Sequence, residues 1–109
     1  MPKDDRLYLG QMSDLVEKAL AKIAGKTRAE YDGNEDLRLA LTHLIQNMGE
    51  AARKVSPKTQ AEHPEIPWKS ITGMRHRVVH DYMSINFDII WDVLHDDLPG
   101  LIVQLKKLL

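Results

Sequence analysis

No cysteine occurs among the 109 residues, which excludes disulfides, thiolate zinc sites and a thiol nucleophile. No stretch approaches the roughly 18 consecutive apolar residues of a membrane span. The first residues, Met-Pro-Lys-Asp-Asp-Arg, lack the apolar core of a secretory signal, so a cytoplasmic protein is expected. An excess of one charge sign is missing as well. Fifteen Lys and Arg stand against sixteen Asp and Glu, a net charge of −1, so no bulk positive field favours nucleic acid. Any phosphate chemistry must come from a local cluster. Useful alternating strand patterns, internal repeats, low-complexity tracts and linkers are also absent. What remains is ordinary globular composition, 43% apolar and 28% charged. The length fits a single domain, residues 1–109, with a real core.

The apolar spacing is helical nearly throughout. Leu9, Met12, Val16, Ala19 and Ile23 recur at three and four residues, and Gly25 is a natural C-terminal stop. Leu37, Leu41, Leu44, Met48, Ala51 and Val55 form a second stripe, with Asn34 or Asp32 available as its cap. Gly49 lies inside that stripe at a cost of ~1 kcal/mol against alanine, tolerable where another backbone comes close. Ser56-Pro57 reads as an N-cap and first-turn proline, opening a short helix that ends before Pro64. A third long helix is expected from Pro67-Trp68 through Ile71, Val78, Val79 and Tyr82. Asn86 can cap a fourth, with Asp88 in its first turn. Pro99 should kink or restart it before Leu101, Ile102, Leu105 and Leu108. The expected fold is all-α, an up-and-down helical bundle of four long helices plus a short one.

Charge is unevenly spread along these helices. Trp68 to Tyr82 carries Lys69, Arg75 and Arg77 against Asp81, with His76 and His80 besides. The following helix holds Asp88, Asp92, Asp96 and Asp97 and no cation. A solvated acidic face is the plain reading of that stripe; a basic partner or the positive segment nearby could offset it.

Three readings compete for the ten residues from Gly73 to Tyr82. The first is a metal-free phosphodiester site. Arg75 offers a permanently charged planar fork for phosphate, and His80 can exchange a proton near neutral pH. RNA brings its own nucleophile, the 2′-hydroxyl, so cleavage needs only proton transfer and charge stabilisation. Five residues along an ideal helix separate these two by ~140°. A site therefore needs a helix end between them or a second copy of the chain. The second reading is a metal site from His76 and His80 at i, i+4. It lacks the expected glutamate, and Arg75 and Arg77 would repel a cation. The third is structural, with surface arginines, one satisfied histidine and Tyr82 as a half-buried aromatic. His43, His63 and His95 have no partner set and read as surface or cap residues, while Glu50 could face the same cleft.

Arg75, four residues, His80, one residue, Tyr82 resembles the Arg-x4-His-x-Tyr motif of HEPN domains, in the form found in HepT-like toxins. These toxins are encoded beside minimal nucleotidyltransferase antitoxins. The similarity continues in Gly49-Glu50-Ala51-Ala52 with Ser56-Pro57, in His63-Pro64-Glu65-Ile66-Pro67-Trp68, in Gly73-Met74-Arg75, and in Ile89-Ile90-Trp91 with Asp97-Leu98-Pro99. The resemblance implies a HEPN-like homodimer whose Arg and His line a shared cleft. It implies a metal-independent endoribonuclease without cofactor, with Arg75 holding the phosphate of an RNA substrate and His80 acting as acid or base. Tyr82 would accept AMP from the cognate nucleotidyltransferase, filling the cleft with an anionic nucleotide. The alternative function is a non-catalytic HEPN module that partners the nucleotidyltransferase as its substrate-binding subunit. The family commonly has Asn where this chain has His76, which could bind phosphate or aid proton transfer beside Arg77. It commonly has Gly where Asp81 stands. That carboxylate would either raise the pKa of His80 and repel phosphate, or orient the imidazole.

Overall fold

The computed structural model describes residues 1–81 and 84–109, with residues 80 and 81 described by their backbone alone. Helix α1 runs Lys3–Ile23 and ends through Ala24 into Gly25, whose φ of 72° lies in the left-handed region that suits glycine. The short α2, Arg28–Asp32, was not foreseen. A capping box starts it: Thr27 Oγ1 accepts from the Glu30 N–H, and the Glu30 carboxylate accepts from the Thr27 N–H. Helix α3, Glu35–Lys54, is capped by Asn34, which accepts from the Leu37 N–H at 3.0 Å. Ser56 caps α4, Pro57–Glu62, with Pro57 in the first turn. Each of these caps satisfies backbone donors that would otherwise be orphaned.

The third long helix is a correction. Its residues form two five-residue helices, α5 (Trp68–Thr72) and α6 (Met74–Val78), followed by strand β1 (Val79–Asp81) paired antiparallel with β2 (Ser84–Ile85). Gly73 separates the two helices. The β-branched Val79 then leaves helical geometry at little cost, and the Asn86 N–H closes onto the Val78 carbonyl at 2.6 Å.

The final arm begins where expected. Asn86 Oδ1 accepts from the N–H groups of Asp88 and Ile89, both at 3.1 Å, and opens α7, Phe87–Asp92. The arm passes through a π-helical turn, Val93–Asp97, into α8, Leu98–Leu108, with Pro99 in the first turn of α8. Such a turn inserts one residue into the ladder and rotates the side chains around it.

The fold is therefore all-α apart from that small ribbon. No helix among the described residues is long and apolar enough to cross a membrane. The core gathers Leu9, Met12 and Val16 of α1, Leu41, Ile45 and Met48 of α3, and Ile90, Leu94, Leu98 and Leu105 of the final arm, all 1% exposed or less. Burial of side chains this size stabilises by about 1.5–3 kcal/mol each. Helix α1 packs chiefly on α3, and α8 lies against α1.

One buried charge ties the first helix to the short α4. Asp5, 3% exposed, accepts from the Ser56 N–H at 2.9 Å, the Ser56 hydroxyl at 2.6 Å and the Thr59 hydroxyl at 2.5 Å. The Ser56 and Thr59 hydroxyls hold the Asp5 carboxyl below its ordinary value of 3.8. Its stabilising contribution is complete above that ordinary value and is lost as pH falls toward the lower folded value. Urea midpoints across that acid range should therefore fall less steeply for Asp5→Asn than for the wild type. The two curves should be parallel, offset by the lost charge-assisted bonds, at neutral pH.

Candidate functional site

Helices of five residues hold only through packing, so the seating of α5 and α6 decides where the motif stands. Trp68, Ile71, Met74 and Val78 are buried, and the Trp68 indole N–H donates to the His63 carbonyl at 2.9 Å. Beneath them, α3 presents Gly49. A Cβ there would lie 2.9 Å from the Ile71 carbonyl oxygen and 3.3 Å from the Met74 Cβ. The close backbone approach expected at Gly49 is thus real, and only a missing side chain permits it.

Arg75 and His76 stand exposed on α6, and among the described residues neither makes an ion pair or a side-chain hydrogen bond. Arg77 is different. Two residues on, it faces ~200° around the helix, where its Nη1 donates to Ser70 Oγ at 3.0 Å and lies 3.5 Å from Asp97 Oδ2. Its charge is committed while that of Arg75 is free. An open groove of about 570 Å³ runs past Pro67, Trp68, Lys69, Ser70, Gly73 and Arg77.

Helix α6 ends at Val78, where the Val79 N–H still reaches the Arg75 carbonyl, and Val79 turns extended at φ −118°, ψ 108°. Val79 then faces Ile85 and Asp81 faces Ser84, with an irregularity in the ladder between them. A helix end therefore falls between Arg75 and His80, which removes the fixed ~140° separation of a continuous helix. The side chains of His80 and Asp81, and Tyr82 as a whole, lie outside the described residues.

The remaining candidates are dispersed. The His43 ring lies 3.0 Å from the Asn47 amide, and His63 closes α4 3.4 Å from Glu65. His95 stacks on Trp91 with ring centroids 4.0 Å apart. Glu50 lines a groove of about 420 Å³ between α1 and α3 that Arg75 does not line. Among the described residues no group of three or more His, Cys, Asp or Glu is placed to hold a metal ion; the His76–His80 pair includes a side chain outside them.

Two contacts carry no residue-level signal in the sequence. Asp97, in the π-turn, meets Arg77, so the basic segment does offset part of the acidic one. Tyr31, fully buried, donates to the Phe87 carbonyl at 2.7 Å, and burial pushes its hydroxyl up to about 12. Arg28 covers Tyr31 and Trp91, 5.6 and 5.4 Å from their ring centroids, and pairs with Asp32 and Asp88. This cluster docks α2 onto the start of α7. Both contacts span long sequence separations, and no local pattern marks them.

The family model described as ribonuclease HepT-like matches residues 12–108. The chain belongs to the HepT-like ribonuclease family. Among relatives of this HepT-like chain, a protein of Thermococcus cleftensis named "Probable ribonuclease HepT" is 28% identical, over 97% of this chain and 94% of its own. One of Caldanaerobacter subterraneus named "Putative RNase" is 28% identical, over 98% and 96%. Another of that name from Methanocaldococcus jannaschii is 24% identical, over 100% and 91%. No solved structure matches the chain at a significant level.

The seating of α5 and α6 on Gly49 generates a paired test. Alanine at Gly10, where nothing lies within 4 Å of an added Cβ, should stabilise by ~1 kcal/mol through helix propensity. At Gly49 the same substitution overpacks two backbones, and a net loss of ~1 kcal/mol should lower Tm by several degrees. Thermal melts that rise for both variants would contradict the close approach.

Proposed function

We propose that this HepT-like chain is the toxin of a toxin–antitoxin pair, a metal-independent endoribonuclease silenced by a nucleotidyltransferase. The observation that carries the reading is the exposed guanidinium of Arg75, unpaired among the described residues, on a helix that stops before His80. Its neighbour Arg77 is held by Asp97, so Arg75 is the arginine of this motif available to an outside anion.

Arg75 binds the scissile phosphate of RNA and stabilises charge on the phosphorane. The substrate's 2′-oxygen attacks the adjacent phosphorus; that bond forms as the 5′-oxygen–phosphorus bond breaks. His80 takes the 2′-hydroxyl proton or returns one to the departing 5′-oxygen. A homodimer supplies the second histidine, with the two copies of the motif lining one cleft. His76 contacts phosphate or aids proton transfer, and Asp81 either orients His80 or weakens the site by repelling phosphate. Tyr82 accepts AMP from the partner antitoxin, and the added anionic nucleotide then occupies the phosphate cleft.

Expression of the chain without a nucleotidyltransferase should arrest growth. Arg75→Ala and His80→Ala should each relieve the arrest through a roughly 10²-fold or larger loss of cleavage, while the proteins remain folded dimers. Arrest that survives both substitutions would contradict the site. Harmless wild-type chain that still binds the nucleotidyltransferase would instead make it the enzyme's substrate-binding subunit. With antitoxin and ATP, intact mass should show adenylate on the wild type and none on Tyr82→Phe.

A further inference from the structure

The acidic residue that reaches the motif segment from the far end of the fold has no part in the chemistry above. Helix α6 is five residues long, and no side chain caps its N-terminus. Met74 and Val78 hold one side of it by burial. Apolar contacts are non-directional, so they fix its depth better than its rotation. Besides the Asn86 N–H bond to the Val78 carbonyl at its C-terminal end, a directional side-chain contact falls on Arg77, whose guanidinium is shared between Ser70 Oγ of α5 at 3.0 Å and Asp97 Oδ2 at 3.5 Å. Asp97 is the last residue of the π-turn, where the extra residue changes the phase of the following side chains. Its neighbours Leu98 and Leu101, with Met48, Ile71 and Met74, line a small cavity of about 110 Å³ under the same guanidinium. The carboxylate thus reaches α6 across an underfilled piece of core.

We propose that Asp97 is a positioning residue for RNA cleavage, acting through Arg77 to fix the rotation of α6 and so the aim of Arg75. This rests on Arg75 being the phosphate-binding residue. Pairs as exposed as this one contribute little to global stability; the consequence is geometric, because displacement of a catalytic group by about 1 Å can lower a rate up to 10²-fold. A carboxylate acting only by its charge would do the opposite. Its removal would strengthen binding of a polyanion.

The experiment pairs Asp97→Asn and Arg77→Ala, singly and together, with amide hydrogen exchange and steady-state RNA cleavage on the dimeric protein. Exchange at the Arg77 and Val79 amides, which bond to Gly73 and Arg75 carbonyls, should accelerate in Asp97→Asn, while α3 keeps its protection and Tm barely moves. Then kcat should fall about tenfold with KM within about twofold, and the double variant should be no worse than Arg77→Ala alone. Asp97→Glu should recover part of kcat. Unchanged exchange at those two amides would overturn the brace whatever the activity does. Faster exchange with kcat unchanged, or a lower KM as the only effect, would overturn the positioning role. Arg75→Ala, run alongside, separates the two ideas: if it cleaves like the wild type, the site reading fails, and exchange alone decides the brace.

Discussion

A five-residue helix has no stability of its own in water, and Arg75 stands on one. Everything about the site depends on how α6 is seated against α3. Gly49 makes that seat possible, since any larger residue would meet the Ile71 carbonyl at 2.9 Å. The Met74 Cβ stands 3.3 Å from where a side chain at Gly49 would begin. The three long arms of the bundle, α1, α3 and the α7–α8 run, are a scaffold that holds this short segment at the surface. Catalytic groups are often carried on irregular segments for this reason, with rigidity borrowed from the elements beneath.

The electrostatics follow the same division. The chain is close to neutral, and part of its charge is internally paired, Arg28 with Asp32 and Asp88, and Arg77 with Asp97. Arg75 stands outside those pairs. An exposed guanidinium in a near-neutral field favours local phosphate contact over diffuse attraction to nucleic acid. Such a surface suits a protein that must meet one phosphate at a defined place.

What was legible in the sequence was local. Asn34, Ser56 and Asn86 cap helices where their side chains suggested it, Gly25 stops α1, and Pro99 begins the last segment after an interruption. A cap is decided within three residues, so sequence reasoning reaches it. A continuous third helix is what the spacing predicts because Val78 and Val79 continue the apolar stripe; the extended form of Val79 depends on pairing with Ile85, six residues on. The Tyr31–Phe87 bond and the Arg77–Asp97 pair join residues 56 and 20 positions apart, distances at which periodicity carries no information. For the site, the motif residues were legible through a family likeness. A helix end between Arg75 and His80, one of the two arrangements that their spacing called for, is present in the fold, and the other, a second copy of the chain, belongs to the proposed function.

In our proposal this chain cleaves RNA with its own arginine and histidine. The most direct test is cleavage by the purified protein in excess EDTA, with intact mass confirming no adenylate and His80→Ala measured beside it. The account predicts cleavage by the wild type, undiminished by the chelator, and none by the variant. Equal cleavage by both, or activity that disappears with EDTA and returns with added metal, would contradict it.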